Sequence, residues 1–72
     1  MNRIQQQKLA TTVKRKREQL GLSQQELSEK SGVNLRTLQE YEIGRKDLRR
    51  AAAGTVLSLS RALWCAPSEL IT

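Results

Sequence analysis

Arg36 and Glu40 stand one helical turn apart in the segment NLRTLQEYE, and the chemistry open to them is hydrogen bonding rather than bond making. A guanidinium can fork two N–H groups onto guanine O6 and N7, and a carboxylate can accept from cytosine N4. The competing reading is a surface ion pair at i, i+4 spacing, with Glu40 orienting Arg36 or repelling wrong sequences. Both readings rest on residue type and spacing. Covalent chemistry lacks its parts: Ser23 lies near carboxylates without a base, and Cys65 has no histidine or second cysteine to activate it. One cysteine and no histidine also exclude a disulfide framework and a zinc site of the chain's own. No enzyme is expected.

The elements that must position Arg36 are legible around it. Ser23-Gln24-Gln25-Glu26 matches a capping box, so a second helix should run from Gln24 to about Lys30, with Leu27 and part of Ser28 turned inward and Gly32 as its stop. Asn34 is a good N-cap for a third helix, Leu35 to about Ile43, whose Leu38 and Tyr41 face the core; Gly44 closes it. The Ser31-Gly32-Val33 link is too short for a long hairpin, so the two helices must cross steeply as a helix-turn-helix unit, the first bracing the second against a nucleic-acid groove.

Upstream, Leu9, Val13 and Leu20 fall near helical spacing between Lys8 and Leu20, and Gly21 sits where a left-handed cap would end that first helix. Downstream, Arg45 to Arg50 is a charged connection with Leu48 as its apolar anchor. Val56, Leu59, Ser60 and Leu63 mark a fourth helix from about Ala52 to Leu63, whose start lacks a strong cap. Pro67 suits the first position of a short fifth helix ending near Ile71. The fold class is all-α and five-helical, with a tail over residues 1–7 and one domain over residues 8–72.

A domain of 72 residues has little core to spare for a deep pocket. Thirteen Lys and Arg against seven Asp and Glu give a net charge of +6, which favours polyanions. Nucleic acid ranks first. A membrane ranks last, because no apolar run is long enough to span one and the basic residues do not share a face opposite an apolar stripe. The missing signal sequence and single cysteine point to the cytosol.

From Val13 to Ile71 the sequence resembles the phage-repressor and Cro-like helix-turn-helix family, the xenobiotic-response-element class. The motifs that carry it are Arg17 four residues before Gly21, LSQQELS, SGVNLRTLQEYEIGRK, and a leucine-rich helix followed by APSELI. The resemblance implies a compact, lambda-repressor-like five-helix domain that binds operator DNA, usually as a two-fold dimer, without a cofactor. It implies that Gln24 touches phosphate and braces the recognition helix, and that Ser23 adds a hydroxyl or backbone contact. Leu35, Arg36, Gln39 and Glu40 would face or border the major groove, Asn34 and Thr37 would lie near the sugar-phosphate wall, and Arg45 and Lys46 would grip phosphate. Arg17 and Glu42 would form a structural ion pair. The sequence departs from the family at Trp64, where glycine is common, at Leu35, often polar, and between Asp47 and Ala53, where a proline is often seen. Leu35 would meet a thymine methyl or pack on the supporting helix.

The run Lys14-Arg15-Lys16-Arg17 invites a localisation or RNA-binding reading, but on a helix its side chains diverge, leaving a solvated face and one scaffold arginine. Tyr41 and Trp64 are too few and too separated to stack single strands. Tyr41 belongs to the core by spacing, and Trp64 is either a core plug or part of a dimer surface. The expectation is therefore a cytoplasmic, sequence-specific DNA-binding regulator, a repressor acting by operator occupancy, dimerising through Trp64, Leu70 and Ile71. The alternatives are an antitoxin that binds a toxin and its own promoter, and a protein-binding adaptor with a Leu35-centred face.

Overall fold

The computed structural model describes residues 11–71, and the expected tail, Leu9 and the Lys8 start of helix one lie outside them. Five α-helices make up most of this segment: α1 (Thr12–Gln19), α2 (Gln24–Ser31), α3 (Leu35–Glu42), α4 (Ala53–Ala62) and α5 (Pro67–Leu70). A 3-10 turn, Leu48–Arg50, joins α3 to α4, and no strand occurs among the described residues.

Helix α1 begins later than its periodicity suggested. Thr11 is extended and acts as the N-cap, its hydroxyl accepting from the Lys14 amide at 3.3 Å. The same hydroxyl donates to the Glu42 carbonyl at 3.2 Å, which ties the start of α1 to the end of α3. Thr11 thus supplies the cap that hydrophobic spacing alone did not reveal. Leu20, placed on the apolar side by spacing, is instead 43% exposed, because α1 ends at Gln19 and Leu20 already belongs to the turn.

The core is a single cluster with Val13, Leu27, Leu38, Leu59 and Leu63 at its centre, and Tyr41, Leu48, Val56 and Leu70 around them. Each helix contributes to it, α2 packing on α3 and α4, and α5 on α4. Leu48 is the apolar anchor of the charged connection; Asp47 caps its turn by accepting from the Arg49 amide at 2.9 Å. Ala52 precedes α4 without any side-chain cap. Leu70 is buried, so it packs inside the domain and is not available to the dimer surface expected of it.

Three of the turns that end helices share one hydrogen-bond pattern, with the next residue but one donating to a carbonyl five positions back. After α1, Leu22 N donates to Arg17 O at 3.1 Å; after α3, Arg45 N donates to Glu40 O at 2.9 Å; after α4, Cys65 N donates to Ser60 O at 3.0 Å. This Schellman arrangement puts its penultimate residue in the left-handed region. Gly21 and Gly44 fill that position in the first two turns, with φ of 70° and 79°. Trp64 fills it in the third, with φ of 56°, and is 86% exposed. The turn is therefore the one that glycine usually makes, built with tryptophan, and Trp64 is no core plug.

Candidate nucleic-acid interface

The helix-turn-helix is fastened from its sequence upward. Ser23 accepts from the Glu26 amide at 3.0 Å while the Ser23 amide donates to Glu26 Oε1 at 2.8 Å, a complete capping box. That bond to the Ser23 amide holds the Glu26 carboxyl below its ordinary range, with the Ser23 hydroxyl contributing next. It also occupies the Ser23 N–H, whereas the Ser23 hydroxyl proton has no partner among the described residues. Between the helices, Gly32 takes φ of 75°, a conformation open to a residue without Cβ. Ser28 Oγ donates to the Val33 carbonyl at 2.6 Å, and the Val33 amide donates to Ser31 Oγ at 3.1 Å, so the turn's polar groups are bonded locally. Asn34 Oδ1 then accepts from the Arg36 and Thr37 amides, at 2.9 and 3.3 Å, and starts α3.

Beneath this turn lies a buried polar relay. Glu42 is 3% exposed on the inner side of α3. Arg17 grips its carboxylate with two bonds, Nε to Oε2 at 2.7 Å and Nη2 to Oε1 at 3.0 Å, and its Nη1 donates to the Leu22 carbonyl at 2.7 Å. The bond to Glu42 pushes the Arg17 pKa above its ordinary value, against the opposing effect of burial. Gln24 Nε2 also donates to Glu42 Oε1, at 3.1 Å, and Gln24 Oε1 accepts from Gln39 Nε2 at 3.3 Å. One carboxylate therefore joins α1, α2 and α3. No buried side-chain polar atom among the described residues lacks a partner.

On the outward side of α3, Leu35, Arg36, Gln39, Glu40, Ile43 and Arg45 border one open concavity. Arg36 and Gln39 are exposed and Leu35 is half-buried, so the leucine packs partly on its surroundings and still reaches the surface. Glu40 turns to Lys46 Nζ at 3.5 Å, and Arg36 forms no ion pair among the described residues, so the Arg36–Glu40 pair of the competing reading is not made. Arg45 and Lys46 also line a second depression with Tyr41, Asp47, Arg50 and Ala51. Asn34 is exposed and Thr37 half-buried, both at the start of α3 and neither on the border of that first concavity.

Two residues of this surface escaped the sequence reading. Ile43 is 70% exposed and completes the face four residues after Gln39; helical spacing from Arg36 and Gln39 was the signal that pointed to it. Arg50 joins Arg45 and Lys46, which sequence distance hid because the 3-10 turn folds the connection back. The basic run of α1 disperses: Arg15 Nη2 donates to Thr12 Oγ1 at 3.2 Å, Lys16 pairs with Glu69 at 2.9 Å, and Arg17 serves the relay. Burial raises the Cys65 thiol pKa, which disfavours the reactive thiolate. No helix among the described residues is long and apolar enough to cross a membrane.

Comparison with known proteins agrees with this geometry. No curated protein and no solved structure matches the chain. A helix-turn-helix family model matches residues 13–70, from the buried Val13 of α1 to the buried Leu70 of α5. With the relay, the glycine turn and the capped helices falling inside that span, the chain belongs to the phage-repressor and Cro-like helix-turn-helix family of DNA-binding regulators, the xenobiotic-response-element class.

Proposed function

We propose that the protein is a sequence-specific repressor that occupies its operator on double-stranded DNA as a homodimer. The observation that supports this reading best is the outward face of α3, where Leu35, Arg36, Gln39, Glu40 and Ile43 stand together opposite a side packed into the core. Arg36 forks onto guanine, Glu40 accepts from cytosine, and Leu35 and Ile43 meet thymine methyl groups. Gln24, the Ser23 hydroxyl, Arg45, Lys46 and Arg50 hold phosphates, with Asn34 and Thr37 beside the sugar-phosphate wall; these contacts position the helix without carrying sequence information. Two copies on half-sites about 34 to 36 Å apart match the two-fold symmetry of such operators. Of the three residues expected at the contact between copies, Trp64 and Ile71 are exposed and Leu70 belongs to the core.

Repression follows from occupancy: a bound dimer blocks polymerase, and no reaction is required. The test is a titration of random duplex and of an operator selected from a random pool, each at two salt concentrations. A strong preference for the selected duplex is expected, with affinity falling as salt rises because each neutralised phosphate releases counterion. Replacing Arg45 or Lys46 by Ala should lower the salt slope by about 1 and weaken binding to all sequences alike. Equal, weak binding to both duplexes would overturn the reading and favour an adaptor that binds another protein; capture of a toxin partner together with binding to its own promoter would favour an antitoxin.

A further inference from the structure

The relay beneath α3 does more than hold helices together, because it has a direction. Glu42 is buried and carries two oxygens that only accept when ionised. The amide of Gln24 must therefore turn its NH2 toward Glu42, as the 3.1 Å bond to Oε1 shows, and this leaves Gln24 Oε1 facing Gln39. An oxygen there demands a donor. Gln39 answers with Nε2 at 3.3 Å, so the orientation of an exposed amide on α3 is dictated, two bonds away, by a buried carboxylate. Turned the other way, Gln39 would set oxygen against oxygen. Its Oε1 and second N–H receive no hydrogen bond partner among the described residues, and they sit on a side chain that borders the concavity of Leu35, Arg36 and Ile43.

We infer that Gln39 reads adenine, and that Gln24 and Glu42 are positioning residues that fix which way its amide faces. An amide presenting one acceptor and one donor matches the N6–H and N7 of adenine in the major groove. A freely turning amide presents its NH2 as readily as its oxygen, and NH2 suits guanine O6. The relay commits one N–H to Gln24 and fixes the oxygen beside the other, where it repels the acceptors O6 and N7 of guanine, so it contributes discrimination between purines as well as affinity. This inference rests on the DNA-binding reading above.

Two measurements test it, and they fail separately. In the free protein, the side-chain NH2 resonances of Gln39 are compared between the wild type and Gln24→Met. That variant keeps the length of the side chain, removes its hydrogen-bonding groups, and leaves both Arg17 bonds on Glu42, so the domain should still fold. A shift of the Gln39 signals is expected; unchanged signals would overturn the orientation. In a selection from random duplex DNA, the wild type should enrich adenine at one position of the half-site. Gln39→Ala should cut that preference about 10-fold at that position alone. Gln24→Met should loosen the same position toward guanine, although Gln24 touches no base. If Gln39→Ala leaves every position as it was while an operator is still enriched, the inference fails and the DNA-binding reading survives. If the wild type enriches no sequence, both fall.

Discussion

The turns that follow α3 and α4 are made with the same hydrogen bonds and finished with opposite residues. After α3, the Gly44 amide donates to Tyr41 O and the Arg45 amide to Glu40 O; after α4, the Trp64 amide donates to Arg61 O and the Cys65 amide to Ser60 O. Gly44 and Trp64 occupy equivalent left-handed positions. A Cβ there approaches the neighbouring carbonyl and costs roughly 1 to 2 kcal/mol, which glycine avoids. The contrast runs through the whole domain. Residues 11–45 are held by three side-chain-capped helices, three glycine turns and a carboxylate shared by three helices, whereas α4 starts at an uncapped Ala52 and ends on a strained Trp64. Hydrophobic anchors hold the second region in place: Leu63 and the half-buried Cys65 flank Trp64 and pack on the core. Directional bonds are spent where the orientation of an outward face matters, and apolar packing suffices elsewhere.

The strongest way to break the comparison is at the relay. Arg17→Ala leaves Glu42 buried with only Gln24 as a donor, and a buried carboxylate stripped of its cation costs about 3 to 5 kcal/mol. For a domain this small that is a large share of the total stability. Chemical denaturation should show the loss as a lower midpoint at unchanged slope. Replacing both partners, with Arg17→Met and Glu42→Leu together, should recover most of it, because two apolar groups of similar volume avoid the desolvation cost. A double variant as unstable as the single one would mean that the pair contributes net stability, not orientation, and the contrast with α4 would lose its basis.

The sequence disclosed most where local chemistry decides. Ser23 with Glu26, Asn34, Gly32 and Gly44 each specify a terminus through their own side chain or lack of one, and the helices they bound lie within one residue of expectation at each end. The Arg17–Glu42 contact was readable only through the family resemblance, since the two residues are distant in sequence and charge spacing along a helix does not link them. Helix α1 misled because Leu9, Val13 and Leu20 share a rough period that the Thr11 cap interrupts. Trp64 could not be placed because propensity argues against its backbone conformation, and tertiary anchors on either side overrule propensity. The resemblance implied that Gln24 braces α3, but its partner there, Gln39, was not legible, for the bond needs the crossing of α2 over α3 in three dimensions.

The uncapped start of α4 offers an intermediate effect with the opposite sign. Ala52 is exposed and extended, so Ala52→Asp should accept from a free amide of the first turn and favour the positive end of the helix. A gain of about 1 kcal/mol is expected in thermal or chemical unfolding. Smaller still is Trp64→Gly. It relieves about 1 to 2 kcal/mol of left-handed strain and forfeits about 0.5 to 1 kcal/mol to the greater freedom of glycine in the unfolded chain. With the indole 86% exposed, little burial is lost, so the net is a gain of about 0 to 1.5 kcal/mol, centred below the gain at Ala52, at an unaltered core. A clear loss of stability in the monomer would show that Trp64 is held by packing rather than tolerated by the turn.

The smallest effect belongs to α5, whose cap is half built. Glu69 Oε2 accepts from the Ala66 amide at 2.9 Å, but Ala66 has no side-chain oxygen to return the bond, unlike Ser23 in front of α2. The Ala66 amide first, and Lys16 next, hold the Glu69 carboxyl below its ordinary value. A carboxylate whose pKa is lower in the folded chain than in the unfolded one binds its proton less readily when folded. Its contribution is therefore complete above the unfolded value of about 4.3 and disappears as pH falls through the lower, folded value. Glu69→Gln should unfold slightly more readily than the wild type at neutral pH, and the two melting curves should converge as the pH drops from about 5 to about 3. Because Glu69 is on the surface, salt should weaken the Lys16 part of the difference and leave more of the Ala66 part. A gap that stays constant with pH would mean that the carboxylate's charge is irrelevant, and that α5 is held by Leu70 in the core alone.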